Sequence, residues 1–139
     1  MITRFQQKIN PPYSLHDMVV CGITCKNESI HLEFRHGYVR IKEPCTQVEG
    51  KITFENADME SACIFLLSPL GKYGKFEGIK MSLNDFIKQY DEYSFEIIEE
   101  MYGFHTVEYI GYFHSPKDDL IQMSLSIYFD GDIVYETEE

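Results

Sequence analysis

Apolar and polar residues alternate along most of the chain, with the period of two residues that is typical of β-strands. Residues 18–25 and 30–35 show this alternation first, on either side of a polar turn at residues 26–29. Gly37 marks a second tight turn, after which residues 38–43 continue the pattern. We expect these segments to form a three-stranded antiparallel meander with one polar face.

The remainder of the chain contains further strand patterns. They fall at about residues 48–55, 62–67, 75–81, 94–101, 105–114, 121–129 and 133–136. Residues 62–67 are apolar on both faces, which predicts a central buried strand. Asp130-Gly131 is the kind of dipeptide that closes a β-hairpin, so the last two strands are expected to pair.

One helix is predicted near residues 83–91. Ser82 is suited to the N-cap position, and Asp85 stands three residues later, as in a capping box. One face of this helix is apolar and consists of Leu83, Phe86, Ile87 and Tyr90.

Nearly all connections between the predicted strands are too short for parallel crossovers. We therefore predict a mainly β fold, an antiparallel β-sandwich or partly open barrel of eight to nine strands, in a single domain over residues 1–139. The meander at residues 17–43 and the hairpins at residues 94–136 are expected to form its two layers. The predicted core includes Val19, Ile23, Leu32, Phe34, Phe65, Leu125 and Ile127.

The chain is strongly acidic, with 12 basic and 23 acidic residues and a formal net charge of −11. This balance argues against nucleic acid and anionic membranes as partners, because both are bound by clustered lysine and arginine. It favours a basic protein partner, although solubility alone also explains it. The sequence does not predict an oligomeric state.

The N-terminus has no apolar targeting segment, so we expect a cytoplasmic protein with reduced cysteines. No C-x-x-C spacing occurs among the four cysteines. On one strand, Cys21 and Cys25 would lie roughly 13 Å apart, too far to share a zinc ion. We expect them to be core residues, and we predict no metal site, no disulfide and no cofactor.

His16-Asp17 is the strongest of the candidate binding sites. The pair precedes a strand, where it can either cap the entry to the sheet or belong to a binding loop. Other candidate binding residues are Tyr73 in a glycine-rich loop, Tyr109 and Tyr112 in a tyrosine-rich segment, and Asp118 and Asp119 in a polar turn. The tyrosines fit a pocket lining and ordinary strand positions equally well.

The segment from the LHD tripeptide of residues 15–17 to the IHLEFRHGY run of residues 30–38 resembles the start of a group of small bacterial β-rich proteins. These proteins begin with a Leu/Phe-His-Asp element and a β-meander, and some are immunity proteins of polymorphic toxin systems. The resemblance covers residues 13–41. It implies a non-enzymatic β-protein with His16 and Asp17 at the matching positions, and it carries over no catalytic residue.

No nucleophile–base motif or phosphate-binding loop is present, so we expect no enzymatic activity. Two functions remain open ahead of an enzyme. The first is an acidic, immunity-like protein that binds a protein partner. The second is a small-ligand-binding sandwich or barrel with a tyrosine-lined pocket.

Overall fold

A computed structural model describes residues 1–5, 10–69 and 78–138. These residues form thirteen strands and one helix, rather than the eight to nine strands expected. The elements are β1 (Ile2–Phe5), β2 (Tyr13–Ser14), β3 (Val19–Lys26), β4 (Ser29–Phe34), β5 (Tyr38–Arg40), β6 (Thr46–Val48), β7 (Gly50–Phe54), β8 (Cys63–Pro69), β9 (Ile79–Ser82), α1 (Leu83–Gln89), β10 (Ser94–Gly103), β11 (Thr106–Ser115), β12 (Asp118–Tyr128) and β13 (Ile133–Thr137).

The mainly β, antiparallel fold class is confirmed. Ten strands form one sheet in the order β1-β13-β7-β4-β3-β10-β11-β12-β8-β9, and β2, β5 and β6 form a second, small sheet. The additional strands are mostly two to four residues long, too short to produce a readable alternation. None of the helices that the structure describes is long and apolar enough to span a bilayer.

The large sheet curls until its two halves face each other. Phe54 on β7 packs against Tyr109 on β11, with ring centroids 6.3 Å apart. Three strands separate β7 from β11, so a flat sheet would hold them about 19 Å apart. The fold is therefore sandwich-like, but it is open, because β1 and β9 each pair on one side only among the described strands.

The prediction that the N-terminal meander and the C-terminal hairpins form two separate layers is wrong. Antiparallel pairing of Val20 with Phe95 joins the N-terminal hairpin β3–β4 directly to β10 in one sheet. The hairpin itself is confirmed, and its two turn residues, Asn27 and Glu28, both have the positive φ of a type I′ turn.

The third strand of the predicted meander leaves the main sheet. β5 pairs with β2 and β6, whereas β7 takes the place beside β4. The change of direction occurs at Gly37, which has a φ of +66° and no room for a side chain, because a Cβ would lie 1.7 Å from the Val48 carbonyl oxygen. The turn was predicted, but its direction depends on this contact.

The predicted hairpin at Asp130-Gly131 is also wrong. β12 pairs with β11 and β8, and β13 pairs with β1 and β7, in the opposite half of the sheet. Gly131 lets the chain cross from one half of the sheet to the other, because without a side chain it can lie against the backbone of Glu55. The Gly131 N–H donates a hydrogen bond to the Glu55 carbonyl oxygen. The dipeptide thus links the two halves instead of closing a local pair.

Most of the predicted core is confirmed, with two corrections. Ile23, Leu32, Phe34, Leu125 and Ile127 are buried, whereas Val19 and Phe65 are only half-buried. A bulge in β3 between Val20 and Gly22 changes the phase of the strand, so that Val20 faces the core in place of Val19.

Strand β8 lies second from an edge of the sheet and is not central. Ile64 and Leu66 face the core, while Phe65 lies on the other face, with the Lys80 ammonium 5.5 Å from its ring centroid. The phase was not readable from the sequence, because residues on both faces of this strand are apolar.

The helix and its cap are confirmed. The Ser82 hydroxyl accepts a hydrogen bond of 3.1 Å from the Asp85 backbone N–H. Helix α1 covers one end of the sheet with Phe86, whose ring lies 5.7 Å from that of Phe113.

Candidate functional site

A strongly charged concave surface lies on neighbouring strands β4, β7 and β13. Strand register places Glu33 opposite Lys51, and Lys51 opposite Glu136, so the three form one row across the sheet. Their neighbours Leu32 and Ile52 are fully buried. The row therefore lies on the outer face, because alternate residues of a strand point to opposite faces.

A groove of about 580 Å³ runs along this row, and we call it the acidic groove. The carboxylates of Glu49 and Glu138 also border it. The backbones of these two residues are joined by a 2.9 Å hydrogen bond from the Glu138 N–H to the Glu49 carbonyl oxygen. The groove is lined by Glu33, Phe34, Glu49, Gly50, Lys51, Glu136, Thr137 and Glu138. Four glutamates against one lysine make the groove strongly negative.

The floor of the acidic groove is held rigidly from the core side. The hydroxyl of buried Tyr38 lies 3.1 Å from the carbonyl oxygens of both Lys51 and Glu136. Gly50 makes room for this contact, because a Cβ there would lie 2.6 Å from the Tyr38 hydroxyl oxygen. Burial raises the pKa of Tyr38, so the hydroxyl keeps the proton that it donates.

Lys51 is the one basic side chain among the described lining residues of the acidic groove. Its ammonium lies 3.1 Å from a carboxylate oxygen of Glu136, and both side chains are about half exposed. An exposed pair of this kind adds little to stability, about 0–1 kcal/mol. The main effect of the pair is on the shape and charge of the groove. It holds the Glu136 side chain in place, and the Lys51 ammonium pairs with Glu136 rather than with Glu33, Glu49 or Glu138.

The structure places His16 and Asp17 in a loop that docks on β10. The Asp17 N–H donates to the carbonyl oxygen of Ile97 at 2.8 Å, and the Ile97 N–H donates back to Met18. The His16 ring nitrogen Nδ1 lies 2.8 Å from the carbonyl oxygen of Ile98. These bonds give the pair a defined structural role at the entry to the sheet, and both side chains remain exposed.

Tyr109 lies in the core, within a chain of hydroxyl groups. Its hydroxyl donates to that of Tyr102 at 3.3 Å, and Tyr102 donates to Glu100 at 2.7 Å. The hydroxyl of Tyr135, close by, is buried without a hydrogen-bond partner in the described part of the chain. Burial raises the pKa of all three phenols, and the nearby carboxylate of Glu100 adds to the effect.

The five tyrosines of residues 90–112 do not form one cluster. Tyr102 and Tyr109 belong to the hydroxyl chain, whereas Tyr90 and Tyr93 pack around Phe86 beneath the helix. A different set of tyrosine rings, from Tyr13, Tyr38 and Tyr135, packs with centroids 4.8–5.8 Å apart and joins the small sheet to the large one.

Neither Tyr112 nor Asp118 lines the acidic groove. Tyr112 is 38% exposed on β11, on the outer face of the sheet. Asp118 accepts a 3.1 Å hydrogen bond from the hydroxyl of Ser115 at the β11–β12 turn. Asp119 lies in β12, and its side chain is outside those described. Tyr73 lies outside the described residues.

All four cysteines are free thiols. Cys21 and Cys25 both lie on β3, as predicted, and are half-buried rather than fully buried. Within the described ranges, no three histidine, cysteine or acidic side chains converge as metal ligands would.

Comparison of the chain with protein-family models, with curated proteins and with solved structures found no match. The acidic groove is therefore interpreted from its own geometry and charge.

Sequence reasoning did not find this groove. Glu136 and Glu138 belong to the acidic last residues of the chain, but nothing in the sequence associates Glu33 and Glu49 with them. Each is an ordinary polar residue of its own strand or turn. The order of β4, β7 and β13 in the sheet brings them together, and this order has no local signal.

Proposed function

We propose that the protein is a non-catalytic binding protein that engages a basic protein partner through the acidic groove. The observation that carries this proposal is the cross-strand row of Glu33, Lys51 and Glu136, extended by Glu49 and Glu138 at the strand ends. Four carboxylates on a rigid sheet surface give a localised negative potential, in addition to the overall charge of −11.

A basic protein suits this surface better than a small molecule does. The groove is open and shallow, and its lining offers one aromatic side chain, Phe34, beside five charged ones. Small-ligand sites, by contrast, are enclosed and largely apolar. Complementary charges across a protein interface accelerate association and select the partner, and a set of fixed carboxylates achieves both.

The class of partner to be screened first follows from the resemblance at residues 13–41. If the protein acts as an immunity protein, its partner is a basic toxin domain, and the acidic groove covers lysine and arginine side chains of that domain. His16 and Asp17 then support the sheet that carries the groove, consistent with their hydrogen bonds to Ile97 and Ile98.

The proposal is tested with the partner captured from the source cell and then purified. Association and dissociation rates are measured between about 0.05 and 0.5 M salt, where the Debye length falls from about 14 Å to about 4 Å. We expect the association rate of the wild type to fall steeply as salt rises. Glu33→Gln and Glu136→Gln should slow association at low salt, while dissociation changes less.

Glu99→Gln is the matched control, because Glu99 is exposed on β10 and does not line the groove. It removes the same charge from the protein and should leave the association rate nearly unchanged. An association rate that is indifferent to salt and to the groove substitutions would contradict the proposal, and so would an equal effect of all three variants.

A further inference from the structure

A second concave surface lies at the other end of β7, around the tip of the β10–β11 hairpin. Phe104 at this tip is 79% exposed, and Tyr128, at the end of β12, is 53% exposed. Both border a pocket of about 280 Å³, which we call the tip pocket. Buried Ala57 and Phe129 also line it. Two aromatic rings this exposed beside one cavity mark a contact surface, because such side chains are the usual anchors of interfaces.

The tip pocket is pre-organised. The ring of His105 stands edge-on to Phe104, with centroids 4.2 Å apart, and so limits the orientations of that exposed side chain. His105 is itself held by Phe129, through a ring nitrogen 3.1 Å from its carbonyl oxygen and a backbone bond of 3.0 Å. An isolated antiparallel β-bridge between Ala57 and Phe129 holds the floor of the tip pocket in place.

The charge of the tip pocket is negative. Asp58 and Asp130 line it, and the side chain of Asp130 is 88% exposed. No lysine or arginine is among the described residues that line it. Arg4 on strand β1 forms ion pairs with Glu55 and Asp132, which are not among the described lining residues. The pocket thus combines aromatic faces with carboxylates, and the base on its described lining is His105, whose Nδ1 lies 3.8 Å from an Asp130 carboxylate oxygen.

We propose that the tip pocket binds an arginine side chain of a partner protein. A guanidinium group stacks on an aromatic face and donates paired hydrogen bonds to a carboxylate, so Phe104 and Tyr128 supply the face and Asp130 the acceptor. A lysine ammonium is more strongly hydrated and lacks the planar surface, which makes it the weaker occupant. This site is separate from the acidic groove and does not depend on it.

The test uses isolated side-chain analogues, so that its outcome is independent of the partner assumed above. The probe is Nα-acetyl-arginine methylamide, titrated into the ¹⁵N-labelled full chain. The control probe, Nα-acetyl-citrulline methylamide, has nearly the same shape without the charge. We expect the arginine probe to shift the amide signals of Phe104, His105, Tyr128 and Asp130 with a Kd in the millimolar range, and the citrulline probe to bind at least about threefold more weakly.

Substitutions make the assignment specific. Phe104→Leu keeps an apolar side chain but removes the aromatic face, and it should weaken arginine binding about two- to fivefold. Asp130→Asn should weaken it by a similar factor. Tyr112→Leu is the control, since Tyr112 is an exposed aromatic residue elsewhere on β11. Unchanged circular dichroism checks that each variant is folded.

Two results would overturn the inference. One is equal binding of the arginine and citrulline probes, and the other is a set of shifts confined to the acidic groove. If the acidic groove failed to bind a basic partner, the expected results with the arginine and citrulline probes would be unchanged.

Discussion

The ring of His16 closes a gap in the main sheet by bonding to Ile98. A bulge lies between Ile97 and Glu99, which pair with consecutive residues of β11, so Ile98 has no partner in that ladder. The Ile98 carbonyl oxygen instead accepts from His16 Nδ1 at 2.8 Å. The same loop bonds to Ile97 through Asp17, which adopts a positive φ of 65°. A polar pair ahead of a strand is thus used to satisfy a bulge in another strand.

His16→Ala should therefore lower the free energy of unfolding by about 1 kcal/mol, the usual net value of one hydrogen bond. Urea denaturation measures this change. His36→Ala is the matched control, because His36 is exposed in the turn after β4, and its substitution should shift stability by less than about 0.5 kcal/mol. Equal effects of the two substitutions would contradict a structural role for His16.

Gly50→Ala should be strongly destabilising despite the small change in size. The new Cβ would lie 2.2 Å from the Glu136 carbonyl oxygen and 2.6 Å from the Tyr38 hydroxyl oxygen, so backbone must shift. We expect a loss of about 1–3 kcal/mol in chemical denaturation, in the range of overpacked sites. At Gly103 a Cβ meets only the Thr106 methyl group at 2.9 Å, so Gly103→Ala should cost less.

Stability should fall steeply at alkaline pH. Burial raises the pKa of Tyr102, Tyr109 and Tyr135 above the ordinary value of about 10. In the unfolded chain these phenols lose their protons above that value, while in the folded state they keep them. Their contribution is thus complete below pH 10 and is lost as pH rises, by about 1.4 kcal/mol per group and pH unit.

Urea denaturation at pH 9, 10 and 11 measures this loss, and absorbance at 295 nm reports the ionised phenols. Tyr109→Phe removes one of the three groups and should make the fall between pH 10 and 11 shallower by about 1 kcal/mol. A wild-type stability that does not change from pH 9 to pH 11 would show that these tyrosines are not protected.

Lys51→Gln should accelerate association with a basic partner at low salt. It removes the one cation among the described lining residues of the acidic groove and leaves its four glutamates. The Lys51–Glu136 pair is exposed, so the free energy of unfolding should change by less than about 1 kcal/mol. Stopped-flow kinetics tests this expectation. Lys88→Gln on the exposed side of helix α1 is the control for a general charge effect.

Local features of the fold were readable from the sequence because they depend on neighbouring residues. The alternation in residues 30–35 and 121–129 identified β4 and β12, and Ser82 with Asp85 marked the start of the helix. The turn of Asn27-Glu28 was recognised from its polar composition. Hydrophobic periodicity and helix capping depend on residues a few positions apart, so both can be read from the local sequence.

The tertiary structure alone decided which strands pair and which side chains meet. β5 leaves the meander, β12 and β13 separate into opposite halves, and a bulge brings Val20 inward in place of Val19, all through contacts between distant segments. The acidic groove has the same origin. Glu33 and Glu136 lie 103 residues apart in the sequence and share one face only because β7 lies between β4 and β13. Alternation determines which face a residue occupies on its own strand, but strand order is set by the packing of the whole sheet.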